Sequence, residues 1–129
     1  MLGDNEATAT IPVKNLGAAR KFYEDTLGLK LVHTEGEEAV SYKSGNTHVL
    51  VYHSQYAGTN KATAATWMVS DIESLVKDLK ARGISFEHYD MPGVTRTGDI
   101  HLAGPLKNAW FKDPDGNIIA LVSEQIPIS

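Results

Sequence analysis

Val13-Lys14-Asn15-Leu16 and Val69-Ser70-Asp71-Ile72 are two versions of one phrase, 56 residues apart. Each leads into a helical pattern that closes on a glycine and an aliphatic residue, Gly28-Leu29 and Gly83-Ile84, and then into strand-like sequence. A self-similar chain of this kind is confined to copies of one supersecondary unit. A site is expected where the two copies meet.

The local signals specify that unit. Thr8 to Val13 is short and rich in β-branched residues, as a strand should be. Asn15 can cap the next helix, since its side chain accepts from an otherwise unpaired amide. Leu16, Ala19, Phe22, Tyr23 and Leu27 form the helix's apolar stripe, and Gly28 suits its left-handed end. Residues 30–34, 38–43 and 47–54 read as three strands, the last two joined at Ser44-Gly45-Asn46. After a polar linker at about 54–63, residues 64–69 open the second copy, and Asp71 caps a helix striped by Ile72, Leu75, Val76 and Leu79. Residues 85–89, 109–112 and 118–123 read as further strands, while 91–108 shows no clear period. Asp113-Pro114-Asp115-Gly116-Asn117 has the proline and glycine of a tight reversal between the last two.

The expected fold is therefore α+β, with two βαβββ modules in tandem at about 7–54 and 63–124 within one domain of 129 residues. Each helix covers one face of its strands, and the mixed sheet curves around a concave pocket on the other. The net charge is −4 and lysines and arginines are scattered singly, which argues against nucleic acid or an anionic membrane as partner. The absence of cysteine excludes disulfides and thiolate chemistry. No apolar run is long enough to span a bilayer, and residues 1–7 lack a signal peptide's pattern, so a cytoplasmic location is the expectation.

Two stretches carry a family resemblance. Val13-Lys14-Asn15-Leu16 with Phe22-Tyr23-Glu24-Asp25-Thr26-Leu27-Gly28-Leu29, and Phe111-Lys112-Asp113-Pro114-Asp115-Gly116-Asn117, resemble the helix and hairpin signatures of the vicinal-oxygen-chelate superfamily. That superfamily includes glyoxalase I, extradiol dioxygenases, fosfomycin-resistance enzymes and bleomycin-resistance proteins. The resemblance runs from about Thr8 to Glu124 and implies the paired-module fold. It also implies a homodimer, an assembly that is common in general. In enzymes of this type a divalent metal is held by His, Gln or Glu on the concave face. The resemblance puts those ligand positions at Thr8, Leu50, Ala64 and Ala120, with Val49 and Val51 as register alternatives to Leu50. Alanine and leucine offer no lone pair and a neutral threonine is a poor substitute for imidazole, so no metal site and no cofactor are expected.

Strand alternation puts Thr8, Thr10, Leu50, Tyr52, Ala64, Thr66, Met68 and Ala120 on the concave face as candidate ligand-binding residues, with Ile118 and Val122 beside them. His48 shares that parity, and Trp67 has the opposite one. His101, with Asp99 two residues before it, and Glu87 are the candidate catalytic residues for acid–base chemistry from a loop over the pocket. The expected function is metal-free binding of a small organic molecule, resembling the bleomycin-resistance proteins. The alternative is a glyoxalase- or dioxygenase-like enzyme with a non-standard metal site or metal-independent acid–base chemistry.

Overall fold

Both helices begin where their caps place them. Asn15 Oδ1 accepts from the Ala18 amide at 3.0 Å and Asp71 Oδ1 from the Ser74 amide at 3.1 Å. The computed structural model describes residues 1–124. Its first module runs β1 (Ala9–Val13), α1 (Leu16–Arg20), β2 (Lys30–Glu35), β3 (Ala39–Ser44) and β4 (Thr47–His53). The second runs β5 (Thr63–Met68), α2 (Ile72–Ala81), β6 (Phe86–Glu87), β7 (Thr95–Thr97), β8 (Ile100–Ala103), β9 (Leu106–Lys112) and β10 (Ile118–Glu124).

The two sheets have related orders, β1-β4-β3-β2 and β5-β10-β9-β8-β7, with β6 also on β9. In each, the module's first strand pairs in parallel with its last. Among the described residues no ladder joins the sheets, but β1 lies against β5, so the seam falls between the two opening strands.

Three features depart from the sequence pattern. First, α1 does not continue as regular helix. Lys21–Thr26 form a wider π turn, in which the Leu27 amide reaches back to the Phe22 carbonyl. Two consecutive side chains of this turn are tethered in different directions, Tyr23 to Asp113 and Glu24 to Tyr42. Second, the strand expected at 85–89 shrinks to Phe86–Glu87. Third, residues 95–103 form a hairpin instead of an irregular loop. The last two share a cause: β6 and β8 pair with successive parts of the same edge of β9, so one must end where the other begins.

Alternation sorts the side chains. Ile11, Val13, Val40, Tyr42, Val49, Val51, Ala109, Phe111, Ile119 and Leu121 turn inward and are nearly inaccessible. They share one core with Ala19 and Tyr23 from the first helical segment and Ile72, Val76 and Leu79 from α2. Among the described residues both helices pack on this inward face, and the opposite face of the sheets is left without one. Among the described residues no helix is long and apolar enough to cross a membrane.

The two family-like motifs meet in this core. Tyr23 donates to Asp113 Oδ2 at 2.7 Å, across 90 residues of sequence. Burial first, then the neighbouring carboxylate, pushes the Tyr23 hydroxyl upward from its ordinary value. Asp113 Oδ1 accepts from the amides of Asp115 and Asn117, and Oδ2 also accepts from Asn117 Nδ2. Asn117 Nδ2 donates in turn to the Pro12 carbonyl at 2.7 Å. The hairpin of the second module is thus bolted to the helix and opening strand of the first.

A second polar link sits on the same helix. Glu24 accepts from Arg20 Nε and from the Tyr42 hydroxyl, both at 2.7 Å. The guanidinium, more than the phenol, holds the Glu24 carboxyl below the usual range, against the effect of burial. A depressed carboxyl contributes stability above its unfolded value, about 4.3, and loses it as pH falls through the folded value. The advantage of the native chain over Glu24→Gln in urea midpoint should therefore hold above about pH 5 and shrink below about pH 4. An advantage unchanged in strong acid would show that this contact is not its source.

Candidate functional site

The helix-free face carries the residues selected by alternation. Thr10 lies opposite Leu50, Pro12 opposite Tyr52, Thr66 opposite Ala120, and Met68 opposite Val122. Thr8 lies just before β1, its carbonyl accepting from Thr10 Oγ1 at 3.1 Å. Ala64 falls at a register irregularity between Thr63 and Ala65 and has no partner in the β5–β10 ladder. The two halves are therefore equivalent through Thr10–Leu50 and Thr66–Ala120, the residues flanking the seam.

These positions do not fit a metal. The register offers threonine beside leucine in one half and threonine beside alanine in the other. Taking Thr8 and Ala64 instead adds no imidazole or carboxylate. Hard or borderline divalent ions need several such donors converging. Among the described residues no group of three or more His, Cys, Asp and Glu side chains could hold an ion. No chemical step is assigned to a metal at this face.

A cavity of about 510 Å3 opens at the seam, lined by Ala7, Ala9, Val49, Trp67 and Met68 on its apolar side and by His48 and Thr66 among its polar groups. Its volume falls in the range of small-molecule sites. Among the described residues no carboxylate, lysine or arginine lines it, and His48 is its one titratable side chain. Of the residues expected to bind ligand, Thr66 and Met68 line this cavity; Leu50, Tyr52, Thr10 and Ala120 lie on the same face outside it. Its wall is closed by a cross-module bond from Trp67 Nε1 to Ser44 Oγ at 2.8 Å, which seats the β3–β4 turn against β5. Sequence alternation missed Ala7, Ala9 and Val49, because a seam between sheets exposes the edges of both faces.

Each catalytic candidate is engaged by partners around the junction of β6, β8 and β9. Asp99 is held between Lys80 and His88, each at 2.7 Å, and lysine first, then histidine, keeps its carboxyl below the usual range. Glu87 pairs with Lys112 at 3.3 Å. His101 is completely buried, with its ring edge-on to Trp110 at 4.8 Å. Its Nε2 accepts from the Tyr89 amide at 2.9 Å. A backbone amide can only donate, so this bond leaves the ring proton on Nδ1, which has no partner among the described residues. Tyr89 is where the chain leaves β9 after β6, and His101 supplies the acceptor that a continuing strand would have met. That arrangement makes His101 a strand-junction residue; the local sequence could not show this, because it depends on two strands competing for one edge.

The model of the Glyoxalase/Bleomycin resistance protein/Dioxygenase superfamily matches residues 7–121. Solved structures with the same fold include a glyoxalase family protein from Enterococcus faecalis, with TM-score 0.72 and 19% identity over 95% of this chain and 99% of that one. A lactoylglutathione lyase from Agrobacterium tumefaciens is similar at TM-score 0.67 and 18% identity, over 92% of each chain. A genomically encoded fosfomycin resistance protein from Listeria monocytogenes is similar at TM-score 0.69 and 11% identity, again over 92% of each chain. At these identities the structures share a fold with this chain, and nothing finer follows.

Proposed function

Because the chain belongs to the glyoxalase/bleomycin resistance protein/dioxygenase superfamily, we propose that it binds a small organic molecule at the seam of its helix-free sheet face, without a metal. The observation that supports this reading is the pairing of Thr10 with Leu50 and of Thr66 with Ala120. The superfamily's frame is kept, and the side chains at its centre leave space and offer no metal donors. An apolar wall with a few polar points is what a neutral or weakly polar molecular body requires. Met68, 65% exposed on this face, can pack against such a body, and Thr66 can hydrogen-bond to it. The proposal treats both modules as one domain, since one buried core runs through them, and takes the protein to be a homodimer.

Two measurements test it. After loading with Ni, Mn, Zn or Fe and desalting, the protein should retain far less than one ion per chain; one tightly held ion per chain would refute the metal-free reading. N-phenyl-1-naphthylamine, an uncharged planar fluorophore, should bind saturably, one per chain. At a hundredfold excess over Kd it should add about 2.7 kcal/mol of stability. Thr66→Trp should fill the cavity and abolish this binding while changing the unliganded unfolding midpoint little, because Thr66 is exposed. Equal binding by the Trp variant would place the probe elsewhere and defeat the proposal.

A further inference from the structure

We propose that the molecule bound at this seam is an organic anion, with its acidic group on a row formed by Lys30, Lys43 and His48 and its apolar body in the seam cavity. This inference rests on the binding role proposed above and names the class of ligand.

The row is set by strand register. Lys30 is the Cα partner of Lys43 in the β2–β3 ladder, and Lys43 is the partner of His48 in the β3–β4 ladder. The next positions, Leu31 opposite Tyr42, and Tyr42 opposite Val49, point to the other face, where Tyr42 and Val49 are buried. Three basic side chains therefore stand side by side on the helix-free face, across three adjacent strands. They are separated by 13 and 5 residues in the sequence, and nothing local marks them as a group.

Like charges directly opposite in a ladder destabilise it. Three lysines elsewhere have a carboxylate partner, Lys80 with Asp99, Lys107 with Glu73 and Lys112 with Glu87, while others such as Lys14 and Lys77 have none among the described residues. Among the described residues no carboxylate stands within ion-pair distance of Lys30 or Lys43. What sets Lys30 and Lys43 apart from the other unpaired lysines is that they stand directly opposite each other in a ladder, in a chain of net charge −4. An anionic group supplied from outside would remove the repulsion and gain two charge-assisted contacts.

The row also has the right place. Lys30 and Lys43 line a cleft of about 310 Å3 at the sheet's rim, with Leu27, Gly28 and Leu29 from the end of the first helical segment on one side and Ser44, Gly45 and Trp67 on the other. Those last three residues also line the seam cavity, and so does His48. The basic cleft and the seam cavity thus share one wall, made by Ser44 and Gly45 of the β3–β4 turn and Trp67 of β5. A ligand with a charged head and an apolar body could occupy both, with the imidazole of His48 donating from the boundary between them.

The probe is 8-anilinonaphthalene-1-sulfonate, compared with N-phenyl-1-naphthylamine, which has the same ring body and lacks the sulfonate. The sulfonate should bind more tightly than the neutral probe. Lys30→Met and Lys43→Met should each weaken it about fivefold, the factor for one close charge pair in water-like surroundings. Raising salt should weaken the sulfonate selectively. Neither substitution should alter binding of the neutral probe, and neither should lower the unliganded unfolding midpoint, because each removes a repulsion. A merely structural role for the lysines would instead move both probes or lower the midpoint. If the neutral probe binds one per chain and the sulfonate ignores both substitutions, the anion inference falls and the binding role stands. If neither probe binds one per chain, both fall.

Discussion

Asp113→Ala should destabilise the protein by about 3–5 kcal/mol, the scale of leaving several buried donors without a charged acceptor. Asp113 is 5% exposed and accepts from the Tyr23 hydroxyl, from the amides of Asp115 and Asn117, and from Asn117 Nδ2. Truncation orphans the Tyr23 hydroxyl and opens the hairpin, and it also loosens Asn117, whose other bond holds Pro12. The effect should show in urea unfolding as a fall in midpoint. Tyr23→Phe should cost much less, about 1–2 kcal/mol, because the carboxylate keeps its remaining donors. The order of the two variants is the sharper test. If Tyr23→Phe were as damaging as Asp113→Ala, the carboxylate would not be the centre of the clasp.

Gly58→Ala should cost roughly 2–4 kcal/mol, a value reserved for changes with a definite steric cause. Gly58 lies in the linker between the modules at φ +72°, and an added Cβ would stand 1.8 Å from the Asp115 carbonyl oxygen. The obstacle is backbone, so no rotamer change relieves it, and the linker must lift off the hairpin. Gly28 provides the control. It has a similar φ of +76° at the end of the first helix, with nothing within 4 Å of an added Cβ. Gly28→Ala should therefore cost only the left-handed conformation, about 1–2 kcal/mol. A similar loss for both variants, read from the same urea titrations, would mean that conformation and not contact explains Gly58.

Asp113→Ala and Gly58→Ala both act on the hairpin that joins the modules, and that hairpin shows how far the sequence could be read. Asp113-Pro114-Asp115-Gly116-Asn117 identified itself as a reversal, because proline and glycine act on the backbone within a few residues. Its second role, accepting Tyr23 and gripping Pro12, involves partners 90 and 105 residues away. The helix caps at Asn15 and Asp71 were legible for the same local reason. The π turn at Lys21–Thr26 was not, because it accompanies tethers to Asp113 and Tyr42 that the apolar stripe does not encode. The hairpin within 91–108 was hidden as well: β7 is exposed at every residue and β8 is only four residues long, so neither carries a sustained alternation.

The candidate site divides along the same line. Alternation alone placed Thr10, Leu50, Tyr52, Thr66, Met68 and Ala120 on one face, since side-chain direction along a strand has a fixed period of two. The missing donors at that face could also be read directly, because ligand chemistry belongs to residue type and needs no coordinates. Where that face becomes a cavity could not be read, because the seam of β1 and β5 depends on how two sheets pack.

The sequence by itself determined the repeated module, the caps and turns that bound its elements, the parity of its strands, and the absence of metal-binding side chains where the family resemblance puts them. These follow from interactions within one helical turn, one strand or one side chain. Only the tertiary structure decided which strands share an edge, so that His101 becomes a junction residue and scattered Lys30, Lys43 and His48 become a row. Pairing register is a property of two segments together; it is set by the closure of the whole core, and no window of sequence contains it.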